Sequence, residues 1–278
     1  MGAEIIVRGT NLSLSAISPN GRDRIAILHS VNFTIKQGEW ITVIGGNGSG
    51  KSTLAKVIAG MPLTGVSGRL EKSAKTGPST PIVLQNPDAG LVGATPWEDV
   101  VIMMEQWGSV EGGRIPEAAE DALKRLGLDG RLQQALDTLS GGQKQLTAIA
   151  GCLAASPNFI ILDEITSMLD PDMSREVYKQ VRHLHKAGMT VLWITQKLEE
   201  LEGSDTVWVM AGGEMAYEGT GLGLFRRSGP GACDSPSERY GFEPPYSVQV
   251  GWELEVLGVP APDIPLYLEK LQGAVGSR

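Results

Sequence analysis

Cysteine, histidine and aromatic side chains are scarce in this chain of 278 residues: two Cys, three His, and 5% Phe, Trp and Tyr together. Cys152 and Cys233 lie far apart and form no C-x-x-C pair, so neither a thiolate metal site nor a disulfide framework is indicated. No apolar run approaches the ~20 residues that span a bilayer. The first residues also lack the charged-then-apolar order of a signal peptide, so the expected place is the cytosol unless a partner holds the chain at a membrane. Positive charge is in deficit as well. The 24 Lys and Arg against 32 Asp and Glu leave a net charge of −8, the opposite of a basic nucleic-acid-binding face, and no nucleic-acid partner is expected. The remaining composition, 41% hydrophobic, suits a soluble globular protein with one large or two modest domains.

What the chain does have is glycine in a telling place. Gly45-Gly46-Asn47-Gly48-Ser49-Gly50-Lys51-Ser52-Thr53 fits the phosphate-binding pattern G-x-x-x-x-G-K-S. The apolar, β-prone run Trp40 to Ile44 enters it, and a helical run, Leu54 to Ala59, leaves it and stops at Gly60 and Pro62. Peptide N–H groups must approach phosphate oxygens with no side chain in the way, and glycine permits this. The helix beginning near Lys51 adds its positive N-terminal end, Lys51 is placed to reach the β- and γ-phosphates, and the Ser52 hydroxyl is placed to hold Mg²⁺.

Two further stretches carry chemistry. In Leu139-Ser140-Gly141-Gly142-Gln143, Ser140 and Gln143 form a capping box ahead of an apolar helix face at Leu146, Ile149, Ala150 and Leu153. An exposed glycine-rich helix start is itself a phosphate-binding surface, so this chain carries two half-sites for one nucleotide. The apolar strand Phe159 to Leu162 ends in Asp163 and Glu164, where Asp163 would hold Mg²⁺ through water and Glu164 would polarise an attacking water. Asp170 then caps a helix with Pro171 at its first turn and Val177, Val181 and Leu184 on one face.

The rest of the chain supplies the frame. Residues 4–15 and 31–36 alternate as half-buried strands about a Ser18 to Gly21 turn, and 65–81 reads as a Gly, Ser and Thr-rich connection before a short strand that ends at Gln85. Helices are expected over 97–127, a strand over Thr190 to Ile194, and a hairpin over 205–219 turning at Gly212-Gly213. Short apolar strands alternating with helices predict a mostly parallel, three-layer α/β core with an antiparallel β edge region. His183 and His185 read as surface residues, Trp97, Trp107 and Trp252 as core or groove residues, and 226–239 as a linker without chemistry.

Together these stretches resemble the nucleotide-binding subunit of an ABC transporter. Five motifs stand in that family's order: the P-loop at 45–53, Gln85 at a strand end, Leu139 to Gln143, Asp163-Glu164, and Ser167-Met168-Leu169-Asp170. The resemblance spans about residues 4–222. Gln85-Asn86-Pro87-Asp88 followed by Leu91-Val92-Gly93-Ala94-Thr95, and the tail from Gly241-Phe242-Glu243-Pro244-Pro245 through a helical 247–257, look like the ATPase subunits of energy-coupling-factor transporters, although Gly90 stands where that pattern often has glutamine. The resemblance implies a P-loop ABC-type domain over 1–222 with a helical subdomain at about 86–156, then a linker and small C-terminal domain over 223–278. It implies ATP with Mg²⁺, the metal held by Ser52, Gln85 and Asp163. It also implies a second ATPase subunit, whose P-loop nucleotide is closed over by Ser140, Gly141, Gly142 and Gln143, and integral membrane subunits that dock in a groove beyond Gln85. The chain would then sit on the cytoplasmic face of the membrane and drive uptake of a vitamin or metal ion. The alternative is a soluble, regulatory ABC-type ATPase, which commonly carries a coiled-coil insertion or a second P-loop that this chain lacks. A P-loop GTPase is disfavoured because no Asn-Lys-x-Asp occurs.

Two departures qualify the resemblance. The family's usual histidine after the Thr190 to Ile194 strand is replaced by Gln196, which must then supply the γ-phosphate contact as a neutral donor, and slow hydrolysis is expected. No aromatic precedes Phe33, so the stacking residue expected for adenine is missing: Ala16 takes its place, leaving Ile17 or Arg24 to pack on the base. An unequal heterodimer follows as an expectation, with an intact signature and a weakened P-loop site on this chain.

Overall fold

Three five-residue runs in which every residue is buried set the centre of the molecule: β3 (Trp40–Ile44), β6 (Phe159–Asp163) and β7 (Thr190–Ile194). Continuous apolar runs of this length are what a strand covered on both faces requires. The computed structural model describes residues 3–17, 23–74, 76, 80–87, 90–107, 114–154, 157–227 and 234–257. Among them a six-stranded sheet runs in the order β5-β6-β7-β3-β8-β9, with β5 (Ile82–Val83), β8 (Thr206–Ala211) and β9 (Glu214–Thr220) completing it. Neighbours are parallel except β8 and β9, which form the expected hairpin. Asp163 is in register with Ile194, and Ile194 with Val43, so the carboxyl ends of β6, β7 and β3 finish level. The chain leaves β3 with later strands on both sides, which makes this end the switch point where α/β sheets bind ligands.

A second, antiparallel sheet has the order β2-β1-β4, made by β1 (Ile5–Ile17), β2 (Arg24–Lys36) and β4 (Val66–Lys72). It is the expected edge region with one strand more than expected. The run Val66 to Lys72 is polar and largely exposed, and Gly68, at φ 93°, sits where a Cβ would strike the Asn11 carbonyl oxygen at 2.3 Å. A glycine tolerated for close backbone approach lies inside a strand and makes the segment look like a connection. The two sheets share a core in which Phe33 meets Trp208 at 5.2 Å between ring centroids.

α1 (Lys51–Ala59) follows the P-loop, packs in the core between the two sheets and ends at Gly60. α2 (Pro96–Trp107), α3 (Ile115–Arg125), α4 (Gly141–Ala154) and α5 (Pro171–Lys186) cover the other face of the six-stranded sheet. α5 is capped by Asp170, whose carboxylate accepts from the N–H groups of Asp172 (3.1 Å) and Met173 (2.9 Å). Its Arg182 lies 3.5 Å over the Trp40 ring and forks onto both oxygens of Asp205, at 2.8 and 2.5 Å, which fixes the helix on the sheet. His185 is a correction to the surface reading. It is half-buried, edge-on to Trp40 at 5.4 Å, with Nε2 3.1 Å from the Gly38 carbonyl oxygen, whereas His183 is exposed.

The described ends of the segment read as a linker make tertiary contacts. After α6 (Gly221–Phe225), Arg227 lies 3.6 Å over the Trp252 ring and pairs with Glu238 at 2.6 Å, and Ser235 makes a capping box for α7 (Pro236–Arg239). Trp252 on α8 (Tyr246–Val256) donates to the Phe225 carbonyl at 3.0 Å inside a core shared with Ile44 and Val209. The Ser18 to Gly21 turn, Asp88, Cys233 and the Trp107 side chain lie outside the described residues.

Candidate active site

The level strand ends deliver their next residues to one place. β3 runs into the P-loop, β6 into Asp163 and Glu164, β7 into Thr195 and Gln196. A cleft of about 230 Å³ opens there, lined by Ile27, Asn47 to Thr53, Gln85 and Glu164. A larger depression of about 650 Å³ lies beside Leu169, Pro171 and Tyr178, so size alone does not choose the site; the convergence of donors and carboxylates does.

Inside the cleft, Lys51 is buried and its ammonium donates to the carbonyls of Gly45 (2.8 Å) and Gly46 (3.1 Å), with Glu164 Oε1 at 3.6 Å. Gly46, Asn47 and Gly48 form the exposed tip. Gly48 adopts φ 74°, and a Cβ built there or at Gly46 meets no heavy atom within 4 Å, so the tip offers bare backbone to a ligand, as an anion cradle must. Ser52 Oγ donates to Asp163 Oδ1 at 3.1 Å. Burial pushes the Asp163 carboxyl above its ordinary range and the Glu164 charge adds to this, against the Ser52 hydrogen bond and the Lys56 and Lys51 charges. A hydroxyl beside a buried carboxylate is a hard oxygen pair of the kind Mg²⁺ takes, with phosphate and water supplying the rest of its shell.

Glu164 holds the left-handed backbone at φ 49°, a conformation costing roughly 1–3 kcal/mol for a non-glycine residue and kept where the surroundings enforce it. Its N–H donates to the Ile194 carbonyl at 2.9 Å and its carbonyl accepts from Ser167 Oγ at 2.7 Å. Ser167 in turn accepts from Gln85 Nε2 at 3.1 Å. Gln196 donates from Nε2 to Glu164 Oε1 (2.8 Å) and to Asn47 Oδ1 (2.9 Å). One hydrogen-bonded chain thus runs from Gln85 through Ser167, Glu164 and Gln196 to the P-loop.

Three supports escaped the reading of the sequence. Glu200, 8% exposed, accepts from Trp193 Nε1 (2.9 Å), Thr195 Oγ1 (2.7 Å) and Thr166 Oγ1 (2.6 Å), and so pins the loop after β6 to the end of β7. Gln145 Nε2 donates to the Gln85 carbonyl at 3.0 Å. Asn47 engages Gln196 through its side chain, where only its backbone was expected to matter.

The Ser140 to Gln143 stretch is not brought to this cleft. Its capping box is present, with Ser140 N–H to Gln143 Oε1 at 3.0 Å and Gln143 N–H to Ser140 Oγ at 3.3 Å. Ser140 and Gly141 are exposed, but Gly142 is buried, and a Cβ there would meet Met173 Cε at 2.4 Å, so this glycine serves helix packing. The expected replacements for a base-stacking aromatic fare differently from one another. Ala16 pairs with Ile25 on the face of β1 that carries buried Leu14, whose partner Leu28 meets Gly50, while Ile17 and Arg24 pair on the opposite face. Ile27, an extra residue in the register, lines the cleft instead.

Comparison with known proteins gives the family and the fold. The family model described as ABC transporter matches residues 28–167. The energy-coupling factor transporter ATP-binding protein EcfA1 of Geobacillus kaustophilus is 39% identical over 261 residues, 90% of this chain and 90% of that protein. The corresponding EcfA of Methanosarcina acetivorans is 35% identical over 90% of this chain and 92% of its own length. Among solved structures, cbiO1 from Clostridium perfringens, described as part of the ABC transporter complex cbiONQ, superposes with a TM-score of 0.68 at 26% identity, covering 98% of this chain and 99% of that one. An ATP-binding cassette solved as a dimer in a post-hydrolysis state with ADP and Pi gives 0.67 at 26% identity over 78% of this chain and 99% of that one.

Proposed function

The chain belongs to the ABC transporter family, among its energy-coupling factor ATP-binding proteins, and from that premise we propose how its cleft works and with whom. It is an ATPase whose nucleotide binding and hydrolysis power an importer, and the observation that carries the reading is the meeting of Lys51, Ser52, Asp163, Glu164 and Gln196 at one end of the sheet. Backbone N–H groups of 46–50 and the Lys51 ammonium receive the phosphates; Gly45, Thr53 and the start of α1 set their register. Ser52 and Asp163 would hold Mg²⁺, with Gln85 beside them at the strand end. When bound, the metal neutralises charge on the phosphates. Glu164 takes the proton of the attacking water, and Gln196 keeps its carboxylate turned into the cleft.

The second half of the nucleotide site lies on another subunit. Ser140, Gly141 and Gln143 at the start of α4 face the phosphates held by a partner ATPase, and Gly142 lets α4 close against Met173. The partner is a second copy or a related subunit, and the missing aromatic favours a related one with the stronger P-loop site. Integral membrane subunits dock beyond Gln85 and choose the cargo, a vitamin or metal ion. Among the described residues no helix is long and apolar enough to cross a membrane, so attachment there is through those partners. The domain limits follow the same assignment, 1–222 for the ATPase with its helical part at about 86–156 and 223–278 for the C-terminal part.

Tagged purification of the chain from detergent-solubilised membranes, with mass spectrometry of what accompanies it and assay of ATP turnover, tests this directly. Recovery of a polytopic membrane protein and an ATP-hydrolysing complex is expected. A chain that stays in the soluble fraction without a membrane partner would overturn the transport reading in favour of a soluble regulatory ATPase.

A further inference from the structure

Gln196 joins two residues that lie 32 and 149 positions away in the sequence, and it does so with one amide group. A carboxylate only accepts, so the bond to Glu164 fixes which end of the Gln196 amide faces inward, and the remaining N–H then fixes Asn47 as a carbonyl acceptor. Both N–H groups of Gln196 are thereby committed. A terminal phosphate that needs a donor from Gln196 must displace one of the two acceptors. The bond to Glu164 is charge-assisted and the bond to Asn47 is neutral, so Asn47 is the one released.

We propose that the Asn47 side chain is a surrogate acceptor that occupies Gln196 until a nucleoside triphosphate arrives, making the Asn47–Gln196 pair a latch that discriminates triphosphate from diphosphate. The inference rests on the nucleotide-binding reading above. ADP has no terminal phosphate to offer and leaves the latch closed; ATP exchanges a neutral acceptor for a charged one and opens it. Gln196 remains a positioning residue throughout, because its second N–H stays on Glu164. The latch lowers the affinity for ATP by what its own hydrogen bond is worth and leaves the affinity for ADP untouched.

Isothermal titration of the purified chain with Mg²⁺ and either a nonhydrolysable ATP analogue or ADP separates the possibilities. Asn47→Ala removes the surrogate acceptor, and the preference for the ATP analogue over ADP is then expected to rise about fivefold, the worth of one neutral hydrogen bond. Asn47→Ser, too short to reach Gln196, is expected to behave alike, which guards against a folding defect particular to one variant. In Asn47→Ala/Gln196→Ala the gain disappears, because no donor remains to be freed. Equal shifts for both nucleotides, no shift for either, or a gain that survives in the double variant would each overturn the latch while leaving nucleotide binding intact. Failure of the wild-type chain to bind either nucleotide would overturn the proposed function and the latch with it.

Discussion

The two ends of the nucleotide cleft are built to different standards. At the phosphate end, three strand ends finish in register and supply Lys51, Ser52, Asp163, Glu164 and Gln196, with Ser52 bonded to Asp163, Gln196 bonded to Glu164, Lys51 held by the Gly45 carbonyl, and Glu200 behind them. At the end we assign to the base, the described part of the β1–β2 ribbon brings no aromatic side chain: Ala16 pairs with Ile25, the latter 51% exposed, Ile17 pairs with Arg24, and Ile27 stands at the cleft wall. The phosphate end is over-determined and the base end nearly blank. Binding free energy should therefore come from charge and backbone donors, with little from the base, where an aromatic stack would have been worth roughly 1–3 kcal/mol.

Substitutions at either end sharpen the contrast. Glu164→Gln removes the proton acceptor but not the shape, so ATP turnover of the assembled complex should fall by about 10²–10⁴ while ATP stays bound, measured by phosphate release beside equilibrium binding. Glu200→Ala strikes the frame behind the phosphate end. It strands the Trp193, Thr166 and Thr195 donors in a buried setting and should cost about 3 kcal/mol, read from denaturant unfolding. Ala16→Tyr gives the base end what it lacks and should tighten ATP binding about tenfold, with no gain for inorganic tripolyphosphate, which has no base to stack.

The smallest effect lies away from both ends. The hydrogen bond from Arg227 holds the Glu238 carboxyl down at about 2, against an ordinary value of 4.5. A carboxyl whose folded value is depressed contributes stability that is fully present above pH 4.5 and is lost as pH falls toward 2. Acid titration followed by tryptophan fluorescence should show this loss around Trp252, which lies under Arg227, and Glu238→Gln should remove that dependence without changing ATP affinity.

The same contrast explains what could be read in advance. The P-loop, the Ser140–Gln143 box, the Asp170 cap and the Asp163-Glu164 strand end are written in contiguous residues, because backbone geometry and capping act over one or two turns. β4 was missed because its stabilising partner, β1, lies some sixty positions earlier and its own pattern is polar. Glu200 follows Glu199 and reads as a solvated charge pair; only the fold brings it under Trp193 and Thr166. Arg227 and Ser235 fell in a stretch whose composition resembles a linker, and only the fold brings them to their partners Trp252 and Glu238. The Asn47–Gln196 contact carries no local signal at all, since it is made between two loops that meet at the end of the sheet.

The affinity of the purified chain for MgATP, MgGTP and inorganic tripolyphosphate, measured side by side, tests the central contrast most directly. If the phosphate end dominates, ATP and GTP will agree within about threefold and tripolyphosphate will follow within about tenfold, because no stacking residue distinguishes them. ATP bound more than about thirtyfold tighter than the other two would place about 2 kcal/mol or more at the base end and contradict the account.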